Sequence, residues 1–114
     1  MLLRIVTRPL DPDIMVVVLD GKITMGPDSR PVERLVRDLL KDGKSKLILD
    51  LTSVDYVDST GIGIIVSCLT AAVRAGGGLR VAGVAERVKE LMKMTRLDSV
   101  LAFYPTPSAA AEGF

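Results

Sequence analysis

With 114 residues, 48% of them apolar and 25% charged, the chain has the balance of one folded domain around one core, which excludes a disordered tail as its main content. Lys and Arg number 15 against 14 Asp and Glu, so no positive surplus draws nucleic acid or an anionic membrane, and neither is expected as a partner. Histidine is absent, which removes the usual general base and the middle member of a Ser-His-Asp triad.

Leu3 to Thr7, a turn from Pro9 to Pro12 and Ile14 to Leu19 predict a hairpin of two strands, closed at Asp20 and Gly21. From Pro27 the period becomes helical. Val32, Leu35, Val36, Leu39 and Leu40 recur on one face, with Ser29 as the expected N-cap and Gly43 as terminator. Lys46 to Leu51 is short and almost wholly apolar, as expected of a central strand covered on both faces. Lys41, Lys44 and Lys46 flank the end of the first helix, where positive charge complements the dipole, and predict a solvated surface. Asp58 or Ser59 then caps a second helix with an expected inward stripe of Ile62, Ile65, Val66, Leu69 and Val73, stopped by Gly76 to Gly78. The lone cysteine, Cys68, lies beside that stripe, where burial is expected over reactivity. Leu79 to Val84 predicts a strand and Glu86 to Leu97 a helix with Val88, Leu91 and Met92 inward; Met94 is also expected as core filler. Val100 to Tyr104 predicts a last strand. Thr106 before Pro107 predicts a short final helix, with Phe103, Tyr104 and Phe114 packing or pinning the tail.

The order β-β-α-β-α-β-α-β-α predicts a single α/β domain over residues 1–114: a mixed sheet of about five strands with about four helices, its later strands parallel through right-handed crossovers. Ligand sites in such sheets gather beyond the carboxyl ends of the strands, where the expected loop from Leu51 to Ser59 emerges. One unpaired cysteine suits a reducing compartment, and Met1 to Leu3 meets Arg4 too soon for a signal-peptide core, so cytoplasmic residence without membrane insertion is expected.

Val54 to Gly63 read VDYVDSTGIG at that spot. Ser59 as a helix cap would contribute about 1 kcal/mol and nothing else. Gly61 and Gly63 near the helix start need another reason, because glycine there costs about 1 kcal/mol relative to alanine. Without side chains, they let another backbone approach, either a partner's or that of the protein's own sheet. A nucleophile elbow would need glycine where Val57 stands, and no Walker phosphate loop occurs. Asp50, Asp55 and Asp58 read better as strand-end and capping carboxylates than as a metal site, so neither metal nor cofactor is assigned.

The stretch Leu47 to Gly63, LILDLTSVDYVDSTGIG, resembles the signature of STAS-domain anti-sigma factor antagonists, in which a buried strand runs into Asp-Ser-Ser/Thr-Gly-Leu/Ile-Gly. Leu19 to Thr24 (LDGKIT), Leu79 to Ala82 (LRVA) and Val88 to Leu97 (VKELMKMTRL) extend the resemblance over nearly the whole chain. It implies a regulatory binding protein and not an enzyme, with Ser59 as phosphoacceptor and Thr60 second to it. The implied partners are an anti-sigma factor that is also a serine kinase, and a metal-dependent serine/threonine phosphatase. The expected docking surface is Thr24, Met25, Asp55, Val57, Asp58, Ser59, Thr60, Gly61, Ile62 and Gly63, on a monomer or weak homodimer. Thr24 stands where many members of the family carry an acidic residue. Two other readings are an interaction module without a phosphorylation switch, such as a transport-complex subunit or part of a signalling scaffold, and a domain that cradles a nucleotide or other anion at the second helix's start.

Overall fold

The computed structural model describes residues 3–27 and 29–114. Strands β1 (Leu3–Asp11), β2 (Ile14–Ile23), β3 (Lys46–Val57), β4 (Gly78–Ala82) and β5 (Phe103–Tyr104) form one sheet in the order β1-β2-β3-β4-β5. The first pair is antiparallel and the other three are parallel. Between them run α1 (Arg30–Lys41), α2 (Ser59–Arg74), α3 (Glu86–Met94) with a 3-10 turn at Leu97–Ser99, and finally α4 (Pro107–Ala111). The expected element order and mixed sheet are therefore present.

Alternation along β3 divides the interior into two layers. Leu47, Leu49 and Leu51 point to the main core with Val32, Val36, Ile65, Val88 and Met92, beneath α1, α2 and α3. Ile48 points to the other face, where it meets Ile14, Val16, Ala82 and Ala110 beneath α4. Arg80 of β4 fastens α4 and the tail. Its guanidinium donates to the carbonyls of Ala110 (2.8 Å), Glu112 (2.9 Å) and Gly113 (3.3 Å) and lies 4.2 Å from the Phe114 ring centroid and 5.4 Å from that of Tyr104. The aromatic tail is thus pinned through a cation as well as by packing.

Several boundaries differ from the pattern reading. The first strand runs through Pro9 to Asp11, with a bulge between them, because β1 is an edge strand and the proline needs no ladder donor there. The second continues past Gly21 to Ile23, and β3 continues six residues past Leu51. These extensions pair with each other, Asp20 opposite Ser53 and Ile23 opposite Val57, whereas β4 accompanies β3 only from Lys46 to Asp50. Having a partner on one side only, this half of β3 tolerates Thr52, Ser53 and Asp55, which read as a loop. The third helix stops at Met94 because Arg96 turns into the left-handed region (φ 61°), and the last strand shrinks to two residues.

The inward face of α2 is rotated from the expected stripe. Ile62, Ile64, Ile65, Cys68 and Ala72 are buried, while Val66 and Val73 are 40% and 58% exposed. Apolar residues surround this helix, so hydrophobicity leaves its phase open, and the small Gly61, Cys68 and Ala72 select the face that packs closest. Burial pushes the Cys68 thiol up to about 12. Met92 is core, but Met94 is exposed. Lys46 pairs with Asp13 at 3.0 Å, holding that exposed carboxyl below its usual range, and Lys44 donates to the Pro12 carbonyl.

Candidate functional site

The ends of β2 and β3 carry the chain to the start of α2, where Asp58 is the N-cap in extended conformation (φ −99°, ψ −174°). Its carboxylate is used twice. Oδ1 accepts the Gly61 N–H at 2.8 Å, as a helix cap should, and Oδ2 accepts the Met25 N–H at 3.1 Å. One side chain thereby ties the first turn of α2 to the loop after β2. Ser29 secures the other end of that loop. It lies in helical conformation without capping α1, is buried, and its Oγ accepts the Thr24 N–H at 3.0 Å. The expected Ser29 cap is corrected to a loop anchor.

The two glycines have different surroundings. A Cβ on Gly61 would collide with the Ile23 carbonyl oxygen and approach Val57 Cγ1 to 2.7 Å, so this position lets α2 abut the end of β2. A Cβ on Gly63 would meet nothing within 4 Å, and the residue is exposed. Of the two possible reasons for glycine, close approach within the protein's own sheet applies at Gly61. Gly63 has open space instead.

Ser59, the first residue of α2, is exposed, as are Thr60, Met25 and Asp55; Thr24 and Asp58 are half-buried. Val57, Gly61 and Ile62 are buried and support this surface from beneath. Because Asp58 rather than Ser59 is the cap, the Ser59 hydroxyl is not engaged at the helix end, and it has no hydrogen bond among the described residues. Asp55 pairs with Lys22 at 3.3 Å, and that ammonium lies 5.8 Å from the Tyr56 ring centroid. Asp50 accepts from the amide and hydroxyl of Thr52. The three carboxylates thus face three different sets of donors.

A pocket of about 380 Å³ opens beside Ser59, lined also by Tyr56, Val57, Asp58 and, from α3, Arg87, Val88 and Leu91. Sequence reasoning missed Arg87 and Lys22. Arg87 was findable in principle, since α3 begins at the carboxyl end of β4, beside the start of α2. Among the described residues, no helix is long and apolar enough to cross a membrane.

These features define a small mixed-sheet domain that offers a helix-start serine on a rigid base, and the STAS domain family model matches residues 6–110. The chain belongs to the STAS domain family. The anti-sigma-B factor antagonist of Staphylococcus aureus (strain NCTC 8325 / PS 47) is 30% identical over 70 residues, which cover 61% of this chain and 65% of that protein. The chain spans just under two thirds of the length of the first curated relatives it matches. Two solved structures share the fold. The anti-sigma factor antagonist from Mycobacterium paratuberculosis has a TM-score of 0.80 and 22% identity, covering 95% of this chain and 90% of its own. The Bacillus cell fate determinant SpoIIAA in its phosphorylated form has a TM-score of 0.73 and 12% identity, covering 94% and 96%.

Proposed function

We propose that this protein is an anti-sigma factor antagonist that works by partner switching and catalyses no reaction itself. Unphosphorylated, it binds an anti-sigma factor that is also a serine kinase, and so frees a sigma factor in the cytoplasm. The Ser59 Oγ then attacks the γ-phosphorus of ATP held by that partner. The new P–O bond forms as the bond to ADP breaks, and the hydroxyl proton passes to a base of the kinase. The phosphorylated protein is released, and a serine/threonine phosphatase restores it by hydrolysis.

The observation that carries this reading is the exposed, unengaged Ser59 hydroxyl beside a cap supplied by its neighbour Asp58. The modification adds about −1.5 to −2 charge at pH 7 next to Asp58, enough to change docking without refolding the domain. The name of the staphylococcal relative and the phosphorylated form of the structural neighbour support the same reading. Incubation with the cognate kinase and ATP, followed by mass spectrometry, is expected to place one phosphate on Ser59. Unchanged phosphate incorporation in Ser59→Ala, or a phosphate found only elsewhere, would refute the assignment.

Thr24, at a position where the resemblance expects an acid, favours a second reading: an interaction module that binds its partner without being phosphorylated. Stable co-purification with a partner, combined with no phosphate transfer, would select it.

A further inference from the structure

The pocket beside Ser59 contains a cation that the proposed switch has not used. Arg87 projects from the second position of α3 and lines the same cavity as Ser59, with Tyr56 and Asp58. It is exposed, and among the described residues it forms no ion pair, no side-chain hydrogen bond and no contact with an aromatic face. Asp58, the anion across the pocket, is already committed to the Gly61 and Met25 amides. The Asp55 carboxylate nearby is paired with Lys22. Arg87 is therefore the one cation among the pocket-lining residues, and it is not bound to a carboxylate.

We propose that Arg87 is the receiver of the phosphoryl group on Ser59, an inference that rests on Ser59 being the modified residue. A phosphoryl group there would put a second anion beside Asp58, a juxtaposition that needs a counter-charge. A guanidinium meets that need with paired N–H donors matched to two phosphate oxygens, and the long Arg87 side chain has no other partner to leave. Phosphorylation would thus join the start of α2 to the start of α3. A phosphate–guanidinium pair would then lie across the apolar floor formed by Val57, Val88 and Leu91. The surface a partner meets would differ in shape as well as in charge, with no change to the backbone beneath.

The experiment uses full-length protein with phosphoserine incorporated at position 59 during synthesis, so that its result does not depend on any kinase. In ¹⁵N and ³¹P NMR, the phosphorylated protein is expected to show a scalar coupling from the Arg87 guanidinium N–H to phosphorus. The Arg87 Nε–H resonance should also move relative to the unmodified form. Arg87→Gln should lose the coupling, while Arg87→Lys should restore a shift on the lysine ammonium. An Arg87 Nε–H that is unmoved by the phosphate and shows no coupling would overturn the proposal. A kinase assay on the unmodified protein fails separately: no transfer to Ser59 would remove the switch while leaving the engineered phosphate–Arg87 contact as measured.

Discussion

Gly61 and Gly63 lie two residues apart in the first turns of α2, and alanine at each should shift stability in opposite directions. Helix propensity favours alanine at both sites by about 1 kcal/mol. At Gly63 nothing opposes it, because the new methyl group enters open space, so Gly63→Ala should stabilise by about 0.5–1 kcal/mol. At Gly61 the methyl group meets the Ile23 carbonyl oxygen, a backbone atom at the end of β2, and the buried Val57 side chain. Relief would require α2 to back away from the sheet, and overpacking of this kind costs about 1–3 kcal/mol. The same carbonyl accepts the Asp58 N–H at 3.3 Å, so the displacement also weakens a hydrogen bond of about 1 kcal/mol. After the gain in propensity, Gly61→Ala should destabilise by about 1–3 kcal/mol. Urea unfolding of both variants, with equal slopes and midpoints moving in opposite directions, is the expected result. A Gly61→Ala midpoint at or above that of the wild type would refute the steric account of this glycine. Gly63→Ala then permits a second measurement. If the open space above it admits a partner's backbone, the variant should be more stable yet bind the proposed anti-sigma partner at least about tenfold more weakly, which is a loss of about 1.4 kcal/mol.

Asp58→Ala removes a helix cap and the tie to the Met25 amide together, and should cost about 1–3 kcal/mol with faster amide exchange at both Gly61 and Met25. Arg80→Ala should release α4 and the tail, raising exchange at Ala110 and Phe114 before the central strands respond, because one guanidinium holds three of their carbonyls. Cys68, raised from 9.0 to about 12 and buried, should react with a disulfide reagent at pH 8 at least about tenfold more slowly than an exposed thiol of ordinary pKa, because its small thiolate population outweighs the greater nucleophilicity of that thiolate and the reagent has little access to it. Since the folded state holds the neutral thiol, its contribution to stability is complete below pH 9 and declines as pH rises through 9 toward 12. Cys68→Ala should flatten that part of the pH–stability profile.

The fold was legible where burial is two-sided and periodicity strong. Lys46 to Leu51 announced a central strand, and the helical spacing of Val32 and Val36 announced α1, because each pattern has one structural solution that buries it. Boundaries failed where a partner strand, absent from local sequence, supplied the stabilisation. Thr52, Ser53 and Asp55 have poor strand character, yet they are held extended by the far end of β2. In α2 an excess of apolar residues hid the phase, which was set instead by small residues at the closest contacts. The serine at the helix start was legible from its neighbours. Asp58 was legible as one of two candidate caps, but its second bond was not, since it reaches Met25 across 33 residues. Nor was the Ser29 bond to Thr24, which spans five residues but depends on how the loop folds back.

These long-range ties bear on how a switch at Ser59 would operate. The backbone around the serine is fixed by the Asp58 cap, by the bond from Met25, and by the abutment of Gly61 on Ile23. None of these contacts uses the Ser59 side chain. A phosphoryl group added there would break no internal hydrogen bond, so the cost of modification falls on the bound partner and not on the fold. The unphosphorylated and phosphorylated states would then be close in intrinsic stability while differing in affinity. Reversible partner exchange requires that separation: a site that stored its signal by unfolding would present the phosphatase with a disordered segment in place of the surface that the kinase had recognised.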